Sequence, residues 1–324
     1  MRFATTLFRG CWLTLAIAVV ALYGPWSAVG QQELSPDGKT FVATAGSLTE
    51  AEVRLLNAQT GELRRTQKAR MAWITSAVFS PDGKRLAIGG GNLYHGDVEV
   101  VDAGSGKSLW LQRDVGKHHE VCLAFSADGK TLCAGTAHGP AKVFDAETGR
   151  LLHTLEAKRV AAVAFSPDGK RIAVASLGSL TEDKPKSEVT IWDAEAGKML
   201  RVMPGAGGPV AFSADSTLLA TAGADDLVSL WEASSGKLVR TLKTEGRRPR
   251  PGAIAFSPDG KLLATVPSTG PLHLWDPQTG KLLKILGDDH VGRIAFSPDS
   301  KTIVSWSGTS GLRRWDVSQL LKKE

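Results

Sequence analysis

The sequence predicts an all-β protein, a closed ring of seven four-stranded antiparallel sheets, and two observations carry that expectation. The first is a phrase of the form Ser-Pro-Asp-Gly-Lys, led in by an apolar run, whose serine recurs at Ser35, Ser80, Ser126, Ser166, Ser213, Ser257 and Ser297. These serines lie 45, 46, 40, 47, 44 and 40 residues apart, a period that marks one supersecondary unit repeated until its faces are buried. The second is a strand-and-turn signature later in each unit, such as Val189-Thr190-Ile191-Trp192-Asp193 followed by Ala194-Glu195-Ala196-Gly197-Lys198.

Each unit reads as strands A to D. Strand A ends in the phrase itself, where Pro presets φ, Asp bonds the nearby backbone and Gly takes positive φ. Alternating apolar runs before and after that turn, such as Val121 to Phe125 and Thr131 to Ala134, make A and B an antiparallel hairpin. Strand C ends at Asn57, Asp102, Asp145, Asp193, Glu232, Asp276 or Asp316. A second turn, with its glycine at Gly61, Gly106, Gly149, Gly197, Gly236 or Gly280, sends the chain into strand D. On strand A, Phe79, Phe125, Phe165, Phe212, Phe256 and Phe296 are expected between sheets, beside small residues such as Ala124 and Ala164 that allow close approach near the axis.

The Trp-Asp pairs Trp192-Asp193, Trp275-Asp276 and Trp315-Asp316, with Trp231 in the same place of another unit, follow the Phe-Ser-Pro-Asp-Gly type of hairpin. In these residues the chain resembles the WD-repeat family, in its bacterial, exported form, from about Leu34 to Glu324. The resemblance implies a seven-bladed β-propeller of four-stranded antiparallel blades, with repeats near 31–74, 75–119, 120–159, 160–207, 208–251, 252–290 and 291–324. The Gly-His pair that usually precedes strand A in that family is absent from every repeat. Its histidine-centred hydrogen-bond network is therefore not carried over, and rigidity is expected mainly from blade-to-blade contact.

Residues 1–30 read as a secretory signal: Arg2 and Arg9 precede an apolar run from Cys11 to Leu22, followed by Pro25 and Ala28-Val29-Gly30. The expected destination is the periplasm or the extracellular space. The alternative is an uncleaved N-terminal membrane anchor, but the run is shorter than the roughly 20 residues that a span needs. Cleavage after Gly30 would trim the first strand A, placed at Val29 to Leu34, and Ser318 to Glu324 is short for a last strand D. Counting around the Ala127-to-Lys130 turn pairs Cys122 with Gly135 and Ala124 with Cys133. The two thiols then lie diagonally, and buried free cysteines are expected over a disulfide.

The A–B and C–D turns share one end of the ring and vary little, whereas the D–A and B–C connections at the other end vary in length and character. Recognition is expected at that variable rim. Its candidate binding residues are Tyr94, His95, His118, His119, His138, Asp183, Lys184, Lys186, Arg247, Arg248, Arg250 and His290. His95, His118, His119 and His138 map to adjacent loops and with Asp97 make a donor set for Zn or Cu, but no standard metal spacing accompanies them, and no metal or cofactor is expected. The segment Arg247-Arg248-Pro249-Arg250 is a basic loop, here expected to be solvated.

The net charge is +6, from 39 basic and 33 acidic residues; without Arg2 and Arg9 it is 37 against 33. That mild excess lacks the wide basic stripe of a nucleic-acid surface. There is no GxSxG elbow, P-loop or HExxH. The position six before each Phe holds a mixed ring of Trp73, His119, Arg159, Ala206, Arg250 and His290, with no paired carboxylates. The expectation is a monomeric, non-enzymatic scaffold that binds a protein or other macromolecule. Two alternatives remain: a lactonase-like enzyme at the channel mouth near His119, Arg250 and His290, and an envelope-transport accessory resembling the Tol-system propeller.

Overall fold

Twenty-five strands and one 3-10 turn make up the described residues of the computed structural model, which are 34–47, 50–178, 187–223, 227–243, 248–287, 293–307 and 311–321. The first unit contributes β1 (Thr40–Ser47), β2 (Glu50–Asn57) and β3 (Leu63–Lys68). Next come β4 (Trp73–Phe79), β5 (Arg85–Gly91), β6 (His95–Asp102) and the long β7 (Ser108–Phe125), then β8 (Thr131–His138), β9 (Ala141–Asp145) and β10 (Leu151–Leu155). Three regular four-stranded sheets follow: β11 (Val160–Phe165), β12 (Arg171–Ser176), β13 (Glu188–Asp193) and β14 (Met199–Pro204); β15 (Ala206–Phe212), β16 (Leu218–Gly223), β17 (Leu227–Glu232) and β18 (Leu238–Lys243); β19 (Arg248–Phe256), β20 (Leu263–Thr269), β21 (Leu272–Trp275) and β22 (Leu282–Leu286). The last unit has β23 (Arg293–Phe296), β24 (Thr302–Ser307) and β25 (Gly311–Asp316), then the 3-10 turn Ser318–Leu321. All pairings are between antiparallel neighbours.

The first turn of each unit is built on its serine. In all seven units the Ser Oγ donates to the Oδ1 of the Asp two residues on, at 2.5–2.6 Å. It also accepts the amide of the residue five on, as Arg171 N gives to Ser166 Oγ at 2.9 Å. The Asp Oδ1 takes the amide of the residue two beyond it, as Lys170 does to Asp168 at 3.0 Å. These bonds fix the hairpin register, and Phe165 stands opposite Ile172. At the second turn the carboxylate or amide side chain at the end of strand C caps the turn: Asp193 Oδ1 accepts the amides of Glu195 and Ala196 at 3.0 and 2.7 Å.

The two turns of a unit lie at the same end, because the amide after the strand-C Asp or its equivalent donates to the carbonyl closing the first turn: Ala58 to Lys39, Ala103 to Lys84, Ala146 to Lys130, Ala194 to Lys170, Ala233 to Thr217 and Val317 to Lys301. The sixth unit has Pro277 at this place, with no amide hydrogen to give. A cavity of about 420 Å³ opens there, lined by Gly260, Lys261, Pro277, Leu283 and Leu320 among others.

The core runs from sheet to sheet. Phe79, Phe125, Phe212, Phe256 and Phe296 are buried and Phe165 half-buried, and each fully buried side chain of this size contributes about 2 kcal/mol. One apolar cluster joins Ile191 and Trp192 to Phe212 and Leu219 of the next sheet. Another joins Leu34, Phe41 and Leu56 of the first unit to Ala295 and Val304 of the last, so the chain's two ends pack on each other. The Arg293 guanidinium (Nη2) of the last unit reaches past the first and donates to the Thr75 carbonyl of β4, in the second, at 3.0 Å.

Several expectations are corrected. The last sheet holds three strands among the described residues, and Ser318–Leu321, too short for a fourth, forms a 3-10 turn; the first sheet also shows three, and its expected strand A at Val29 to Leu34 lies, apart from Leu34, outside the described residues. The crossing that carries His118 and His119 is continuous strand: β7 pairs with β6 through Lys117 and with β8 from Lys117 onward, and a register shift between Lys117 and Val121 turns it from one unit into the next. That shared strand merges two units into one seven-stranded sheet. Arg248 and Arg250 belong to β19 rather than to a loop.

Rigidity does not come from blade contact alone. The Trp indole nitrogens bond hydroxyls within their own sheets: Trp192 to Thr190 and Trp231 to Thr221 at 2.8 Å, Trp275 to Thr265 and Trp315 to Ser305 at 2.9 Å. Cys122 faces Gly135 in the register, as the turn count requires, and both Cys122 and Cys133 are buried free thiols.

Candidate functional site

The end of the ring opposite the paired turns brings together side chains from β4, the β5–β6 connection, β7, β8 and the start of β11. Asn92 organises the first part. Its Oδ1 accepts the amides of Tyr94 and His95 at 2.8 and 3.1 Å, and its backbone amide donates to the His95 carbonyl at 2.9 Å. The tip so formed projects Leu93 and Tyr94, which are 58% and 81% exposed. Tyr94 is pinned from behind, since its carbonyl accepts the His118 amide at 3.3 Å.

His95, expected in the loop, is the first residue of β6 and serves as a brace. Its Nδ1 lies 3.1 Å from Asp97 Oδ1 and its Nε2 lies 2.9 Å from Asn92 Nδ2. The neutral Nδ1–H tautomer satisfies both contacts. Asp97 is 2% exposed and also holds the Asp114 amide at 3.1 Å and Arg113 Nη1 at 3.3 Å. Its carboxylate is therefore committed to structure, and among the described residues no three His, Cys, Asp or Glu side chains form a group that could hold a metal.

Beside this tip lies a group of basic and aromatic residues. The His118 and His138 rings are 4.6 Å apart, tilted by 48°, and Trp73 lies 4.8 Å from His119. His138, expected in a loop, is the last residue of β8. His118 and Arg159 hold left-handed φ values of 66° and 51°, a conformation that costs a non-glycine residue about 1 kcal/mol or more and concentrates at functional sites. Arg159 is fixed by donation from Nη1 to the Gly178 carbonyl at 2.5 Å.

The electrostatics follow from burial and crowding. Burial pushes the His119 imidazole below its ordinary value, His118 adds to that shift and the Asn92 backbone opposes it. Burial also lowers His138, helped by His118, Arg159 and Lys117. Glu120 is the acid of the group; burial raises its carboxyl against the pull of His118 and Arg159.

Of the rim residues expected from sequence, Tyr94, His95, His118, His119 and His138 converge here. Asp183, Lys184, Lys186, Arg247 and His290 lie outside the described residues, as do the side chains of Arg248 and Arg250. Sequence reasoning did not single out Asn92, Lys117 or Glu120, and it read Arg159 and Trp73 only as members of a channel ring. Asn92 carried a usable signal, an Asx turn two residues before an aromatic. A cavity of about 420 Å³ lies at the opposite end, but its carboxylates Asp215, Asp259 and Asp276 are the repeat's own turn caps, already bonded.

The comparisons agree with this architecture. A family model described as "WD domain, G-beta repeat" matches residues 149–181 and 197–232, and one described as "Anaphase-promoting complex subunit 4 WD40 domain" matches residues 105–163. The chain is 35% identical over 112 residues to the WD repeat and SOCS box-containing protein 1 of Xenopus tropicalis and to that of Homo sapiens, a match covering 33% of this chain. It spans 25% of the length of those curated relatives. Among solved structures it is similar to Kuenenia stuttgartiensis Hydrazine Synthase, with a TM-score of 0.73 at 16% identity over 91% of this chain and 97% of that one, a likeness of fold alone. The repeat matches, the turn caps and the propeller neighbour together support a WD-repeat β-propeller.

Proposed function

We propose that the protein is a non-enzymatic, monomeric scaffold that binds a protein partner through the rim carrying Leu93, Tyr94, His118, His138 and Arg159. On this reading the ring has seven blades, β7 serving as the outer strand of one and the inner strand of the next. Residues 1–30 direct export to the periplasm or cell exterior.

The observation that carries the proposal is Tyr94, 81% exposed on a tip whose backbone is tied by Asn92. Tyrosine, tryptophan and arginine dominate binding hot spots, and a tip that is already ordered loses little entropy when it docks. Such a large aromatic beside exposed Leu93 gives a soluble ring no folding advantage. WD repeats as a class mediate protein interactions, which supports the same reading.

A photo-crosslinking residue placed at Tyr94, and separately at Lys170 on the turn end, tests it. Crosslinks to a discrete partner from position 94 alone are expected, lost when Leu93→Ser is added. Crosslinks from position 170 alone, or from neither position, overturn the assignment.

A further inference from the structure

The group beside the Tyr94 tip gathers four basic side chains around a single described carboxylate, Glu120. His118, Arg159 and Lys117 all act electrostatically on His138, and Glu120 is the acid that faces His118 and Arg159. Lys117 stands opposite His138 in the β7–β8 ladder, and opposite His95 across β6. His119 turns to Trp73. Two of the four residues, His118 and Arg159, keep left-handed backbone to remain in place.

We infer that the cluster of Lys117, His118, His138 and Arg159 receives an acidic segment of the protein partner, and that binding takes up a proton on His138. This inference rests on the reading of the rim as a protein-binding face. Protonation of His138 is opposed by the His118 ring 4.6 Å away and by the lysine and arginine beside it. A carboxylate set between them removes that opposition and gives the guanidinium a charge-assisted partner.

The sign follows from the crowding. In the free protein His138 is held below its ordinary value, so its neutral form prevails at neutral pH. A bound carboxylate raises that value, so the complex holds more protons than the free protein. Affinity then increases as pH falls from the complex's titration range toward that of the free site, by up to about tenfold per pH unit for each proton taken up.

The probe is a fluorescent hexaglutamate peptide, with hexalysine as its control, titrated against the full chain by anisotropy. Measurements run from about pH 7.5 to about pH 5.5 at low fixed ionic strength, since exposed charges are screened by salt. Glutamate stays ionised over that range. The expected result is hexaglutamate binding that tightens several-fold toward the acid end and is flat in His118→Asn/His138→Gln. Asn suits the left-handed backbone at position 118, and an unchanged melting temperature shows that the double variant is folded. Arg159→Gln is expected to weaken binding at every pH without removing the slope.

Equal binding of hexalysine, no tightening at acid pH, or a slope retained in the double variant overturns the inference. Tyr94 crosslinks that persist unchanged in the double variant overturn it too, and leave the rim reading standing. Acid-tightened hexaglutamate binding with no partner crosslinked at Tyr94 has the opposite meaning: the cluster takes acidic groups and the rim assignment fails.

Discussion

At the scale of single residues, the turn serine does more than its small size suggests. Ser166 is fully buried, and its Oγ both donates to Asp168 and receives the Arg171 amide. Ser166→Ala leaves that amide without its acceptor, and a loss of about 1–3 kcal/mol is expected from thermal or denaturant unfolding. The same contact explains the acid behaviour of the turn carboxylates. The hydrogen bond from Ser126 is the main cause holding Asp128 below the ordinary carboxylate range, as that from Ser80 is for Asp82 and that from Ser297 for Asp299. A carboxyl lowered on folding stabilises above its unfolded value and loses that contribution as pH falls through the folded one. Unfolding by acid is therefore expected below about pH 4, and Ser126→Ala should flatten the stability curve there relative to the parent. Ser300 is a second informative residue. It stands where five of the other turns have glycine, at φ 61°, and its Oγ accepts the Asp259 amide of the preceding unit at 3.1 Å. Ser300→Gly relieves about 1 kcal/mol of backbone strain and forfeits a bond of similar worth. Calorimetry is expected to find it close to neutral, whereas Ser300→Ala, which loses the bond and keeps the strain, destabilises.

At the scale of elements, the indole bonds show a hydroxyl that has moved between paired strands. In two sheets the partner of Trp231 or Trp275 is a threonine on the second strand, Thr221 or Thr265. In the β11–β14 sheet the corresponding place on the second strand is Val174, and Thr190, directly opposite it on β13, supplies the oxygen. Thr190→Val should cost about 1–2 kcal/mol, because it strands a buried donor. Val174→Thr added to it should restore most of that loss, and failure of the double variant to recover in urea denaturation would rule out this exchange. Such pairing explains what the sequence could and could not disclose. Turn chemistry is local, so the hairpins, both turn caps and the Cys122–Gly135 register could be read from residue order. The hydroxyl partner of each Trp depends on which strand faces it, and β7 depends on a bulge that lets one backbone serve two neighbours. Neither leaves a mark in the periodicity. The rim histidines were found as residues but placed in loops, because nothing local distinguishes a loop from a strand that continues past its own sheet.

At the scale of the whole ring, the junctions between units are not equal, and the difference predicts where the molecule opens. At three junctions an outer-strand side chain reaches over the second turn of the next unit and bonds its carbonyls. Arg65 donates to the Gly104 and Ala103 carbonyls at 2.5 and 3.0 Å, Trp110 to Ala146 at 3.1 Å, Gln112 to Gly149 at 2.9 Å, and Arg240 to Thr279 and Gln278 at 2.6 Å each. The approach is so close that a methyl group built on Gly149 would stand 2.8 Å from the Trp110 ring. The last unit has no fourth strand among the described residues, and the corresponding place over Gly61 is filled by Leu312 of β25 at 3.9 Å. A cavity of about 270 Å³ lies at that junction, lined by Leu34, Gly38, Pro298, Val304 and Arg314 among others. Stability in a repeat ring is close to a sum of unit and neighbour contributions, so a junction that has no outer strand among the described residues and borders a cavity yields first. Native-state hydrogen exchange should therefore find the amides of β1, β24 and β25 opening together at a lower free energy than those of β12 and β13. The apolar cluster of Phe41, Leu56, Ala295 and Val304 is what holds this junction, so Val304→Ala should accelerate exchange in β1, β24 and β25 and leave β12 and β13 nearly unchanged. Uniform acceleration around the ring would instead mean that the last junction is as tightly coupled as the others and that the missing latch has no energetic weight.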